Sequence, residues 1–168
     1  NRGGGRPESE IGPRFEAAAD VVRDDGLGVS MLWTKESPVD EFIAEVIRHI
    51  DAIRYEDPET GLQEIKLIRG DYDAETLPVL DPSNSELLHY DTIQVSELTN
   101  QVTVTYWDRI RGDDASLTVQ DTAAITMAGN IVNASIEYPG FSNARNALQA
   151  AERDLSQMSR PFARGKVR

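Results

Sequence analysis

No cysteine occurs in the 168 residues, which excludes both disulfides and thiolate metal sites. Histidine is almost as scarce: His49 and His89 are the only two, on different predicted elements. A zinc site or a nucleophile–histidine pair needs several converging groups, which two isolated imidazoles do not provide. Aromatic residues make up 7% of the chain, so Trp33 and Trp107 each read as a core anchor or a contact with a partner. The core is expected for Trp33, while Trp107 alternates away from Val104 and Tyr106, which suits a partner-facing position. No apolar run approaches the length of a membrane span. Basic charge is in deficit, 17 lysines and arginines against 29 acids, for a net of −12. The deficit is uneven: residues 1–14 carry +1 and residues 156–168 carry +4, which leaves the middle at −17. Such a field repels phosphate backbones and anionic lipid heads, so neither nucleic-acid binding nor membrane insertion is expected.

What is present is enough for a fold. Hydrophobic residues form 39% of the chain and charged residues 27%, the composition of a folded domain rather than a disordered tail. The glycine- and arginine-bearing stretch 1–14 reads as a flexible lead-in. The rest, 15–168, has room for one domain or for two lobes, about 15–84 and 85–168. The lead-in and the strand-like close over 162–168 are what a piece of a larger protein would have.

Phe15–Arg23 has helix-forming composition, with Gly26 placed to end the helix in a left-handed conformation. Gly28–Trp33 reads as a short strand. Ser37 as N-cap, Pro38 at the first helical position and Asp40 and Glu41 in the first turn announce a second helix, from Pro38 to about Asp51. Val39, Phe42, Ile43, Val46, Ile47 and Ile50 share one of its faces, which is expected to be buried against a sheet. A hairpin follows, Ile53–Glu56 and Leu62–Arg69 around Asp57–Gly61, and then a proline-punctuated loop over 70–84. Strands are expected from near Glu86, over Gln101–Ile110, over Ala115–Val119 and over Ile131–Tyr138. Asp121 caps a short helix that Gly129 ends. Ser142 is expected to cap a last helix to about Met158, with Ala144, Ala147, Leu148, Ala151 and Leu155 facing the core. Tight antiparallel hairpins separated by about four helices define an α+β fold.

Motifs that could carry chemistry are few. Acids are so abundant that any pair could pose as a glycosidase dyad, so abundance points to none of them. Asp71–Glu75 resembles the start of a calcium loop, but Thr76 and Pro82 stand where that loop wants Gly and a bidentate acid. Gly26–Ser30 lacks the Gly-Lys-Ser/Thr of a phosphate loop and the Gly-x-Ser-x-Gly of a nucleophile elbow. Arg69-Gly70-Asp71 and Arg111-Gly112-Asp113 are potential adhesive tripeptides, set against the plainer use of Gly and Asp in turns at strand ends. No catalytic, metal-binding or cofactor-binding residue is therefore assigned.

Several phrases, taken in order, carry a resemblance. Phe15-Glu16-Ala17-Ala18-Ala19-Asp20, Gly26 through Trp33, Val39-Asp40-Glu41-Phe42-Ile43 and Asp57-Pro58-Glu59-Thr60-Gly61 come first. Leu67 through Asp73, Asn100 through Tyr106, Ala151 through Leu155 and Ser159-Arg160-Pro161 complete the set. Together they resemble tail proteins of long-tailed bacteriophages and prophages, of the tail-tip attachment or baseplate-hub kind. The resemblance implies a non-enzymatic virion component assembled in the bacterial cytoplasm, with other tail proteins as partners and a trimer in the full-length parent. It carries no catalytic motif and no cofactor. Two other classes compete. A carbohydrate- or receptor-binding module would show an exposed aromatic platform containing Trp107, and a cell-wall-degrading tail enzyme would show two acids converging in a cleft.

Overall fold

The computed structural model describes residues 7–32, 38–92, 97–160 and 163–168. The fold is α+β and mostly antiparallel. The elements run α1 (Arg14–Asp24), α2 (Val39–Ile50), β1 (Ala52–Glu56), β2 (Gln63–Leu67), β3 (Leu87–Thr92), β4 (Gln101–Asp108), β5 (Asp113–Gln120), α3 (Thr122–Ala128), β6 (Asn133–Tyr138), α4 (Ala144–Met158) and β7 (Ala163–Val167). They divide into two compact units, each assembled from separated stretches rather than from consecutive halves of the chain. One comprises 1–71, 106–113 and 138–146, and the other 72–105, 114–137 and 147–168.

In the first unit, β1 and β2 form an antiparallel hairpin in register Ala52↔Leu67 through Glu56↔Gln63. Its turn is fixed by Asp57, whose Oδ1 accepts the Glu59 N–H at 2.9 Å, and by Gly61 at φ +69°. Accepting that N–H holds the Asp57 carboxyl below its ordinary value. Ala18, Ala52, Ile65 and Leu67 form a small core, packed by Phe15, Val22, Ile47 and Ile50. The rest of the apolar face of α2 is only half-buried. Phe42, Ile43 and Val46 line an apolar groove of about 430 Å3 that runs along α1 and Ile65. The expectation of a fully buried face is corrected accordingly, because two short helices on a two-stranded hairpin cannot enclose a stripe that wide. Phe42→Ala is therefore expected to cost about 1–2 kcal/mol by denaturant titration, below the roughly 3–5 kcal/mol of a fully buried Phe.

Two corrections concern helix starts. Residues 7–14 are not a flexible lead-in: Ile11 bridges Gln63, and the Gly12 N–H donates to the Gln63 carbonyl at 2.8 Å. The buried carboxylate of Glu64 then accepts the Arg14 N–H at 3.2 Å, supplying α1 with the cap its own sequence lacks. A Cβ at position 12 would lie 2.1 Å from Glu64 Oε1, so any larger residue there would push aside the carboxylate that caps α1. Pro38 occupies the N-cap position of α2 with extended backbone (ψ 141°), not the first helical position; the expected Ser37 cap lies outside the described residues. At its other end, Asp51 takes the left-handed conformation (φ 53°). The Arg69 guanidinium donates to the Ile50 carbonyl at 3.2 Å while pairing with Asp25 at 3.1 Å.

Gly28–Leu32, expected as a strand, has no strand ladder; its Ser30 N–H instead donates to the Gly140 carbonyl at 2.7 Å.

The strands β5, β4 and β6 form a sheet in that order. Beyond the turn closed by Gly112 N–H to the Asp108 carbonyl (2.7 Å), β5 returns antiparallel to β4, with Thr103 opposite Thr118. By contrast β6 runs parallel to β4. The Asn100 N–H donates to the Val132 carbonyl at the start of the pair, and the Arg109 N–H to the Ser142 carbonyl past its end. A parallel neighbour requires a crossover, and α3 lies within it, capped by Asp121 Oδ1 on the Ala124 N–H and ended by Gly129 at φ +73°.

Within the second unit, Leu98, Val102, Val104, Ala115, Ala147, Ala150, Ala151 and Leu155 are buried. Buried Asn100 braces the entry to β4, donating from Nδ2 to the Asn130 carbonyl and accepting the Val132 N–H at Oδ1. The core face of α4 runs through Ala147, Ala150, Ala151, Asp154 and Leu155, while Ala144 and Leu148 are exposed. Its cap is Asn143, whose Oδ1 accepts the Asn146 N–H at 2.9 Å, not Ser142.

The closing strand exists. β7 pairs antiparallel with β3, from Leu87↔Val167 to Thr92↔Ala163 with an irregularity between Leu87 and His89. Phe162, the first residue of the strand-like close, lies outside the described residues.

Candidate functional site

His49 is fully buried in the first unit, and both of its ring nitrogens are engaged. Nδ1 lies 2.7 Å from the Glu45 carbonyl, so it carries the proton, and Nε2 accepts the Gly140 N–H at 3.0 Å. The ring meets Tyr138 and Phe141 edge-on, at centroid separations of 5.0 and 4.8 Å, and the Arg48 guanidinium covers Tyr138 at 4.4 Å. A nitrogen already bonded to backbone cannot serve as a general base, so this imidazole is structural. His89 sits on the exposed β3.

The other sequence candidates resolve similarly. Asp73 caps a 3-10 turn through the Glu75 N–H, and among the described residues no group of acids and histidines could hold a metal. In Arg69-Gly70-Asp71 the guanidinium is committed to Asp25 and to the end of α2, as described above. Arg111-Gly112-Asp113 forms the β4–β5 turn, with Gly112 at φ +67°. Trp33 lies outside the described residues. Trp107, in contrast, is 46% exposed on the face of β4 opposite buried Val104 and Tyr106.

Trp107 lines a cleft of about 370 Å3 together with Ser30, Arg109, Pro139, Phe141 and Ser142, all in the first unit. Three separate stretches build it. The Ser30 N–H bond to Gly140 (2.7 Å) ties Gly28–Leu32 to the turn after β6, and the Arg109 N–H bond to Ser142 (3.2 Å) ties the same turn to the end of β4. Fully buried Phe141 stacks on Tyr138, at a centroid separation of 5.1 Å, beneath the cleft. Trp107 was legible from strand alternation. Ser30, Arg109 and Ser142 were not, since only the fold brings residues so far apart in sequence together.

Among the described residues the cleft is lined by an indole, a guanidinium and two serine hydroxyls, with no acid and no histidine. Comparison with protein-family models and with curated protein sequences returns no match, and the site is read from its own residues. No described helix is long and apolar enough to cross a membrane.

Proposed function

We propose that the chain is a non-enzymatic structural component of a bacteriophage or prophage tail tip or baseplate hub, acting in tail assembly and host attachment. The β3–β7 ribbon is the observation that carries this reading. Leu87, Leu88 and Tyr90 on β3 are 61%, 48% and 61% exposed, and Leu77, Val79 and Leu80 in the preceding loop are exposed as well. A two-stranded ribbon is marginally stable alone, and one that shows leucine and tyrosine to solvent is a surface awaiting a partner. Its unpaired strand edges add the means, since a strand from a neighbour extends the ladder by backbone hydrogen bonds.

Charge indicates the partner. The +4 segment 156–168 contains β7, whereas residues 15–155 carry −17. The basic segment 156–168 of one subunit, which holds Arg164 and Lys166 of β7, complements the acidic body of the next, a head-to-tail contact of the kind from which rings are built.

Leu88→Lys and Tyr90→Lys, at exposed positions, are expected to leave the melting temperature nearly unchanged, within about 0.5 kcal/mol of stability. Both should abolish a weak, salt-sensitive self-association measured by sedimentation velocity over a concentration series. Self-association unaffected by either substitution would remove the ribbon from the assembly. The biological reading is tested by immunogold microscopy of particles from the source cells, where label is expected at the distal end of tails. Label elsewhere, or measurable release of peptidoglycan fragments by the purified chain, would overturn it.

A further inference from the structure

We infer that the Trp107–Arg109 cleft is a saccharide site selective for a sugar that carries a carboxylate. This goes beyond the assembly role and rests on a different unit of the molecule. The first argument is the state of the polar groups around the cleft. Arg14, Arg23, Arg48, Arg54, Arg69 and Arg153 are each bonded to an acid or a hydroxyl. Among the described residues, Arg109 is one of several arginines, with Arg111, Arg145 and Arg160, whose guanidinium has no such partner, and of these it is the one that lines the cleft. The Trp107 indole N–H and the Ser30 and Ser142 hydroxyls make no hydrogen bond there either. An unspent cation and an unspent N–H, flanked by two hydroxyls, form a donor-rich rim suited to an acceptor-rich ligand.

The second argument is shape. A half-exposed indole over a cleft backed by Pro139 and buried Phe141 offers an apolar plane beside that rim. A pyranose ring matches the combination, with a C–H face to lie against the indole and hydroxyls at its edge to meet the serines. The volume of about 370 Å3 is at the low end of the roughly 300–1,000 Å3 typical of small-molecule sites, which suits a terminal sugar rather than a long chain. The guanidinium adds the selectivity, because its planar fork binds a carboxylate through two parallel hydrogen bonds that a neutral sugar cannot accept.

The test uses the full chain on a printed array of uronate- and sialate-containing glycans beside their neutral counterparts. Retention is expected on acidic glycans, with neutral counterparts weaker by about tenfold or more, the scale of one lost charge-assisted contact. For the best-bound glycan, calorimetric titration should show Trp107→Ala and Arg109→Gln each weakening binding by about tenfold or more, with Arg109→Lys intermediate. Arg109 is exposed, so its variants should melt as the parent does, whereas Trp107→Ala removes a half-buried ring and is read only where circular dichroism shows the variant folded. Ser142→Ala, expected to weaken binding several-fold, gives an independent reading if either variant does not fold. Absence of binding to every glycan, equal binding of neutral glycans, or undiminished binding by Arg109→Gln would each overturn the assignment. Displacement of the glycan by equimolar inorganic phosphate would do so too, since it would mark a general anion site.

Discussion

Phe141→Ala is expected to destabilise the chain by about 3–5 kcal/mol, the largest loss from any single truncation considered. Phe141 has no solvent exposure, stacks on Tyr138 at 5.1 Å and meets the edge of His49 at 4.8 Å. Truncation forfeits the transfer free energy of the ring and leaves a void among aromatic neighbours that cannot collapse into it. For a chain of this length the melting temperature should fall by roughly 6–20 °C. Phe141→Leu, which refills most of the volume, should recover more than half of the loss. If Phe141→Ala cost less than about 1 kcal/mol by urea titration, the aromatic cluster would not be the centre of this unit.

Gly140→Ala should cost about 1–3 kcal/mol although it adds one methyl group, because that carbon would lie 2.7 Å from Met31 Cγ and 2.9 Å from His49 Nε2. Relief requires moving His49, whose Nε2 accepts the Gly140 N–H at 3.0 Å in a fully buried site. His49→Leu should cost a similar amount, about 1–3 kcal/mol, since it leaves that N–H buried without an acceptor. The two substitutions attack one interaction, so the double variant should lose clearly less than the sum of the singles. Strict additivity in that cycle would mean the histidine and the glycine act independently. The effect reaches the cleft as well: Gly140 accepts the Ser30 N–H through its carbonyl, so Gly140→Ala should also displace Ser30.

Local signals fixed most elements. The composition of Phe15–Arg23, the 3.6-residue stripe from Val39 to Ile50 and the alternation of Val102, Val104 and Tyr106 each specify an element, because each depends on residues close in sequence. The same holds for Asp121 and Gly129 at the ends of α3 and for Gly26, Gly61 and Gly112 at their turns, where backbone conformation dictates the residue. Capping was less legible. Ser142 and Asn143 are both good N-cap residues, and the choice depended on which side chain the approaching chain left free to meet the Asn146 N–H.

The sequence by itself determined the α+β class, the absence of cysteine chemistry, the strongly acidic body with its basic end, and the outward position of Trp107. Tertiary structure alone decided the parallel pairing of β6 with β4, the division into two units of interleaved stretches, and the half-open apolar face of α2. It also decided the polar groups that matter most. Glu64 caps a helix some fifty residues away in sequence, His49 accepts from Gly140 across 91 residues, and Ser30 joins Arg109 and Ser142 in one cleft. The reason is physical. Burial of apolar stripes is encoded by short-range periodicity, whereas a buried polar atom is placed by whichever donor or acceptor folding brings within about 3 Å, a distance no sequence spacing encodes.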